Sequence, residues 1–467
     1  MFRRFLTKLR HRKSEKGSVI PLLGVSLIAL CGFIGLATDV ARMQLVQQRL
    51  LYALDAAGLA AGSTMSTTTL STEVNKYLLA NFPTGFLDAT QPTAVATASA
   101  DKTVITLSAS TTMPMTFMKI FGKDSVTLTT TSEVTRTASG LEIVMALDNT
   151  GSMDDDGKLD SLETAATTMV NSLFGSTATA KNLWIGLVPF SQVVNIGTNH
   201  SDWMVSDYLS GYDWHTYTYS QTCTGTWWHP VCTTTTTAHD DPWQGCVTAR
   251  VKTSTETYDI TDDTPAVRAF EVYYNTTTNQ EHNSYCPQQV TPMTATKATI
   301  TSAITAMTAS GATHIDLGLA WAWRMVSPSW RGLGWSDEMT AASLPLDYGT
   351  KHMNKAIILL TDGENTAYTN FYTAYGWLSQ GLLGTTYDTN VAKTSLDTRL
   401  KNACAMIKAK GIYIYTIALG SPGSTVQTLL KNCATTSDYY FESPTASQLS
   451  SVFNAIADSL SNLRISK

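Results

Sequence analysis

Residues 141–153 read Leu141-Glu-Ile-Val-Met-Ala-Leu-Asp-Asn-Thr-Gly-Ser-Met153. An apolar run, Ile143 to Leu147, stops abruptly at Asp148. Unbroken apolarity over so short a stretch predicts a strand buried on both faces of a parallel sheet. The loop that follows carries Asp148, Thr150 and Ser152 at alternate positions. One carboxylate and two hydroxyls can thus turn toward a common point. All three are hard oxygen donors of the kind Mg²⁺ or Mn²⁺ takes. The structural alternative is that the hydroxyls only cap the following helix.

Two distant stretches have matching features. Lys355-Ala-Ile-Ile-Leu-Leu-Thr-Asp-Gly-Glu364 is again an apolar strand, ending at Asp362 with Gly363 to allow a turn. Gly311-Ala-Thr-His-Ile-Asp-Leu-Gly-Leu319 is a loop entering a helix that carries Trp321, Trp323 and Met325. In an open parallel sheet, loops at the carboxyl ends of the strands share the edge where ligands bind. The three segments are expected to meet over one cation.

In this arrangement Asp148-x-Thr150-x-Ser152, the Thr313 loop and Thr361-Asp362-Gly363 resemble the metal-ion-dependent adhesion site of von Willebrand factor type A domains. The family pattern is Asp-x-Ser-x-Ser, and Thr150 keeps the hydroxyl. The resemblance implies a doubly wound, mostly parallel α/β sheet, a divalent cation, and a protein partner whose acidic side chain completes the cation's shell. With neutral Thr150, Ser152 and Thr313, only two carboxylates serve the cluster. Mg²⁺ is the default ion, with Mn²⁺ or Ca²⁺ as alternatives.

The ends of the chain differ from its middle. The whole carries a net charge of −5, yet residues 1–16 hold seven Lys or Arg and one Glu, so the other 451 residues carry −11. An acidic bulk argues against nucleic-acid binding. Val19 to Ala37 contains no charge. As a helix it spans roughly 28 Å, about the hydrocarbon thickness of a bilayer. The basic residues ahead of it place the N-terminus in the cytoplasm and the bulk outside. A cleaved signal peptide is the rival, but its apolar core is usually shorter. The helical pattern also continues without proline to about Gly62, which favours an uncleaved anchor.

Glu15-Lys-Gly-Ser-Val19, the apolar span, Asp39 with Arg42, and Leu54-Asp-Ala-Ala-Gly-Leu-Ala-Ala61 resemble the TadE/TadG-type N-terminus of tight-adherence (Flp) pilus assembly proteins. The larger, TadG-like members join such a segment to a periplasmic type A domain. The resemblance therefore implies a bacterial inner-membrane, single-pass protein with its bulk in the periplasm, and pilus or secretion-machinery components as partners. Leu22 stands where prepilin-like relatives carry Glu, so prepilin-type processing at Gly17 is not expected.

The expected domains are a basic cytoplasmic segment (1–18), a transmembrane helix continuing outside the membrane (19–63), a small α+β stalk (64–139) and the type A-like domain (140–467). Within the last, 199–290 interrupts the α/β rhythm with five Trp, several Tyr and four Cys. It is either a binding insertion or a minidomain whose aromatics form their own small core. Asp154 to Asp156 is either a weak second cation site or a solvated loop. Six cysteines follow the span, Cys223, Cys232, Cys246, Cys286, Cys404 and Cys433, an even number that suits an oxidising compartment. They allow many connectivities; the reading taken forward pairs 223 with 232, 246 with 286, and 404 with 433.

Three function classes compete. The leading one is a membrane-anchored, non-enzymatic assembly or adhesion protein. A second is a periplasmic scaffold with no metal-dependent binding. The third is a magnesium-dependent enzyme, because the strand-end acids also resemble haloacid-dehalogenase-type phosphotransferases. Those need an acid two residues after the first Asp, where Thr150 stands, and Thr cannot transfer protons near neutral pH. His314 in its helix-start loop is expected to be structural.

Overall fold

The computed structural model describes residues 19–62, 70–99, 104–135, 140–207, 210, 212–250, 259–275, 282–443 and 445–463. The basic segment 1–18 lies outside them. The chain divides into two compact units, residues 1–136 and 137–467.

The first unit is built on α1 (Val19–Gly62), a helix of 44 residues. From Leu22 to Ala60 it is long and apolar enough to cross a membrane. Its N-terminal half exposes Leu23, Ile28 and Phe33, as a lipid-facing helix does. Its lower half buries Val46, Leu50, Leu54 and Ala57 against α2 (Leu70–Asn81) and a three-stranded antiparallel meander of β1 (Thr93–Ala98), β2 (Val104–Pro114) and β3 (Ser125–Thr135). Gly58 lets α1 approach closely, since a Cβ there would lie 2.6 Å from Leu107.

Asp39 and Arg42 fasten this helix to the sheet. The buried Asp39 carboxylate accepts the backbone N–H groups of Thr116, Phe117 and Met118 at 3.1, 2.8 and 2.7 Å. Arg42 donates to the Leu87 carbonyl at 3.1 Å and to Asp88 at 3.0 Å. Three amides of one turn thus depend on one carboxylate.

The second unit begins with β4 (Gly140–Asp148), α3 (Lys158–Phe174) and β5 (Leu183–Phe190). The short strand β6 (Val194–Asn195) leads to a hairpin of β7 (His215–Thr226) and β8 (His229–Asp240). Then come β9 (Cys246–Val247), β10 (Thr291–Thr294), α4 (Lys297–Ile304), α5 (Ile315–Val326) and α6 (Asp337–Ala341). The chain closes with β11 (Met353–Thr361), α7 (Thr389–Ala409), β12 (Tyr413–Leu419), α8 (Ser424–Cys433), β13 (Tyr440–Ser443) and α9 (Leu449–Leu463).

The main sheet runs β10-β5-β4-β11-β12-β13, parallel except for the edge strand β10. Alternate residues of each strand enter opposite cores. Ile143, Met145, Ile358 and Leu360 pack with α3, α4 and α9, while Val144, Ala146, Ile357 and Leu359 pack with α5, α7 and α8. This is the doubly wound α/β sheet that the apolar strands predict. Strand β10 was not predicted. Helix α4 stops at Ile304. Beyond it the Thr308 carbonyl accepts from Asn149, and the Ser310 amide donates to the Asn149 carbonyl at 2.8 Å. Those bonds pull the segment out of helical geometry.

Segment 199–290 does not keep a separate core. Trp203, Trp243, Phe270 and Tyr273 join Trp321, Trp330 and Trp335 in the large cluster on the α5 face. Helix α5 is therefore buried all round, with the sheet on one side and this segment on the other. Gly318 brings it against β5, where a Cβ would meet the Phe190 ring at 2.4 Å. Buried Arg324 donates to Asp259 at 2.8 Å, which locks the segment to the helix. Among the described residues of the segment, the β7–β8 hairpin projects, and Trp227 and Trp228 at its tip are 84 % and 64 % exposed. Disulfides join Cys223 to Cys232, Cys246 to Cys286, and Cys404 on α7 to Cys433 on α8.

Replacing Asp39 by Ala leaves three amides without their acceptor. The expected cost is about 1–3 kcal/mol in the first unit. In hydrogen exchange of the detergent-solubilised chain, Thr116, Phe117 and Met118 should lose protection. Unchanged protection there would disprove the fastening role.

Candidate metal centre

Strands β4 and β11 are parallel neighbours with Leu147 opposite Leu360. Their terminal acids, Asp148 and Asp362, therefore leave the sheet on one edge. Asp148 is fully buried, and Asp362 nearly so. Oδ1 of Asp148 accepts the Thr150 amide at 2.9 Å, and Oδ2 accepts the Thr361 hydroxyl at 2.6 Å. The Thr150 and Ser152 hydroxyl oxygens lie 3.3 Å apart. Ser152 in turn donates to Oδ1 of Asp362 at 2.6 Å. One chain of contacts thus joins Asp148, Thr150, Ser152 and Asp362.

Thr313 is brought alongside by its backbone. The Gly311 carbonyl accepts the Gly151 amide at 3.0 Å. The Thr313 amide donates to the Thr366 hydroxyl at 2.9 Å, and its carbonyl accepts the Thr366 amide at 2.9 Å. The Ile315 amide donates to Asn365 Oδ1 at 2.8 Å, which fixes the start of α5. His314 is buried, with Nε2 3.2 Å from the Thr366 carbonyl. Burial pushes it down to about 3, so it stays neutral. It is a structural residue of the loop.

Burial, and then repulsion from Asp362, pushes the Asp148 carboxyl up to about 7. Two carboxylates in one dry corner resist carrying two charges. A divalent cation suits such a corner, and its donors here would all be oxygens. Among the described residues, no group of three or more His, Cys, Asp or Glu side chains converges to hold a metal. Oxygen donors of this kind fit a hard ion that keeps water ligands, as Mg²⁺ does. Asp154, Asp155 and Asp156 are exposed and form no such group.

Sequence reading missed two residues here. Thr361 supplies a hydroxyl to Asp148, a role hidden because it ends an apolar strand. Lys158 Nζ donates to Asp362 Oδ2 at 2.8 Å and to the Ser152 carbonyl at 3.1 Å. Its signal was present: a basic residue starts a helix, where the macrodipole disfavours it.

A mostly parallel, doubly wound sheet with acids at its strand ends is what the resemblance to type A domains implied, and the second unit has that mixed α/β fold. Residues 17–64 match the family model described as "Tad: Putative Flp pilus-assembly TadE/G-like", so the chain carries a TadE/G-like segment at its N-terminus. No curated protein matches the chain. Among solved structures, it is similar to the vWF domain of the type V pili tip protein Mfa5 from Porphyromonas gingivalis. Identity there is 14 % and the TM-score 0.37, over 71 % of this chain and 97 % of that one. Similarity to the pilus adhesin SpaC from Lactobacillus rhamnosus GG is 12 % in identity with a TM-score of 0.34, over 80 % of this chain and 34 % of that one. Proximal thread matrix protein 1 from the mussel byssus, in a structure with a zinc-occupied MIDAS motif, gives 15 % and 0.32, over 69 % and 48 %.

Substituting Thr361 by Val removes the donor to Asp148 Oδ2 inside the protein. We expect a loss of about 1–3 kcal/mol in denaturant unfolding. Thr361→Ser, which keeps the hydroxyl, should lose less. Equal losses in the two variants would count against the hydrogen bond.

Proposed function

We propose that this is a bilayer-anchored, non-enzymatic pilus-assembly or adhesion protein. Its α/β unit binds a divalent cation, Mg²⁺ by default, through Asp148, Thr150, Ser152, Thr313 and Asp362. The basic N-terminus lies in the cytoplasm of a bacterial cell, α1 crosses the inner membrane, and the bulk stands in the periplasm with residues 64–139 as a stalk. The observation that carries this reading is the convergence of two acids from adjacent parallel strands on a pair of hydroxyls.

When bound, the ion would supply an electrophilic centre that accepts a carboxylate from a protein partner. The chain's own residues prepare for that. The Thr361 hydroxyl and the Thr150 amide orient Asp148, and the bonds among Gly151, Gly311, Thr313 and Thr366 hold the loops together. A row of rings borders them. Tyr285 lies against Gly311 and stacks on Phe371 at 5.5 Å, with Tyr368 5.2 Å further on. Aromatic rings beside a cation suit a protein surface that brings an acid with apolar neighbours. A haloacid-dehalogenase-type phosphotransferase role lacks its general acid, since Thr150 stands at that position.

A scaffold without metal-dependent binding is the second reading. It is favoured by one observation: all four carboxylate oxygens of Asp148 and Asp362 already have donors from the protein.

Thermal melting of the detergent-solubilised chain, first in EDTA and then with MgCl₂, separates the two. Saturable stabilisation is expected, worth about 2.7 kcal/mol at a hundred times Kd. It should vanish in Asp148→Ala and in Asp362→Ala. An unmutated protein whose melting ignores Mg²⁺ would favour the scaffold.

A further inference from the structure

Lys158 is the one cation that the fold itself brings to this corner among the contacts described. It is the first residue of α3, where a positive charge faces the positive end of the helix macrodipole. The loop ahead of it is bent to put it there, with Gly157 at φ 65° and Asp156 at φ 54°. Helix stability does not explain a lysine in that place; its partners do. The ammonium lies 2.8 Å from Oδ2 of a carboxylate whose side chain is fully buried, while Lys158 itself keeps 17 % exposure. A second of its three donors goes to the Ser152 carbonyl at 3.1 Å. The other oxygen of Asp362 accepts from Ser152.

We propose that Lys158 is a resident counter-cation. It holds Asp362 in place when no metal is bound, and it weakens the attraction of the site for a divalent ion. The inference rests on the cation site proposed above. Lys158 adds one positive charge to the corner, so the acids present one negative charge fewer to an incoming ion. Like charges a few ångströms apart at the edge of a protein repel strongly enough to change binding constants by an order of magnitude or more. The site is thereby set to bind metal weakly alone and more firmly when a partner's carboxylate restores the missing charge. Cation and acidic partner then bind cooperatively, each raising the affinity for the other.

The test is calorimetric titration of the full chain in detergent with MgCl₂. Lys158→Met, Lys158→Gln and Lys158→Arg are compared with the unmutated protein, and near-UV circular dichroism checks each fold. The two uncharged variants should bind Mg²⁺ about tenfold tighter or more. Their metal-free melting temperatures should fall, because Asp362 loses its partner. Lys158→Arg, which keeps the charge, should stay near the unmutated affinity. Binding visible only in the uncharged variants also supports the proposal. If the unmutated protein binds Mg²⁺ and the uncharged variants bind it equally or more weakly, the counter-cation role is overturned and the cation site stands. If none of the four binds Mg²⁺, both fall.

Discussion

Two carboxylates at the ends of neighbouring parallel strands repel each other, and the loops around them are arranged to contain that repulsion. Strand pairing puts Asp148 and Asp362 side by side. Burial makes their charges costly, which is why the Asp148 carboxyl is pushed up to about 7. The response is a shell of donors: the Thr150 amide, the Thr361 and Ser152 hydroxyls, and the Lys158 ammonium. Buried polar groups that lack partners are expensive, so each of these contacts constrains the backbone that supplies it. The bends at Asp156 and Gly157, the start of α3 and the turn after β11 all follow from this requirement.

The same economy governs the far face of the sheet. A helix apolar on every side must be covered on every side. Helix α5 meets the sheet through Gly318 and meets segment 199–290 through its tryptophans and Arg324. That segment therefore acts as a further layer over the α/β unit. It also supplies Tyr285 to the row of rings beside the candidate metal site. Layer and site are coupled through one loop, because Tyr285 touches Gly311, two residues before Thr313. What projects from the layer is the hairpin, a disulfide-braced ribbon with two exposed tryptophans.

Much of this was legible in the sequence because strands buried on both faces leave a plain mark. The runs ending at Asp148 and Asp362 announced themselves as central strands and located the sheet edge. The uncharged stretch Val19 to Ala37 was equally plain. What the sequence concealed was context. Thr291–Thr294 is too short and too polar to read as a strand, yet it pairs antiparallel with β5. The aromatics of 199–290 read as a binding surface or as a core of their own, yet they join the core over α5, because periodicity says nothing about which surface covers them. Lys158 and Thr361 were overlooked because their role is set by a neighbour some two hundred residues away. Local pattern cannot report such pairs.

The claim at the centre is that these oxygens hold one divalent ion. Crystals of the protein soaked in MnCl₂ and measured at the manganese edge test it most directly. The account predicts an anomalous peak enclosed by Asp148, Thr150, Ser152, Thr313 and Asp362. Saturating Mn²⁺ with no peak there, and Lys158 still bonded to Asp362, would contradict it.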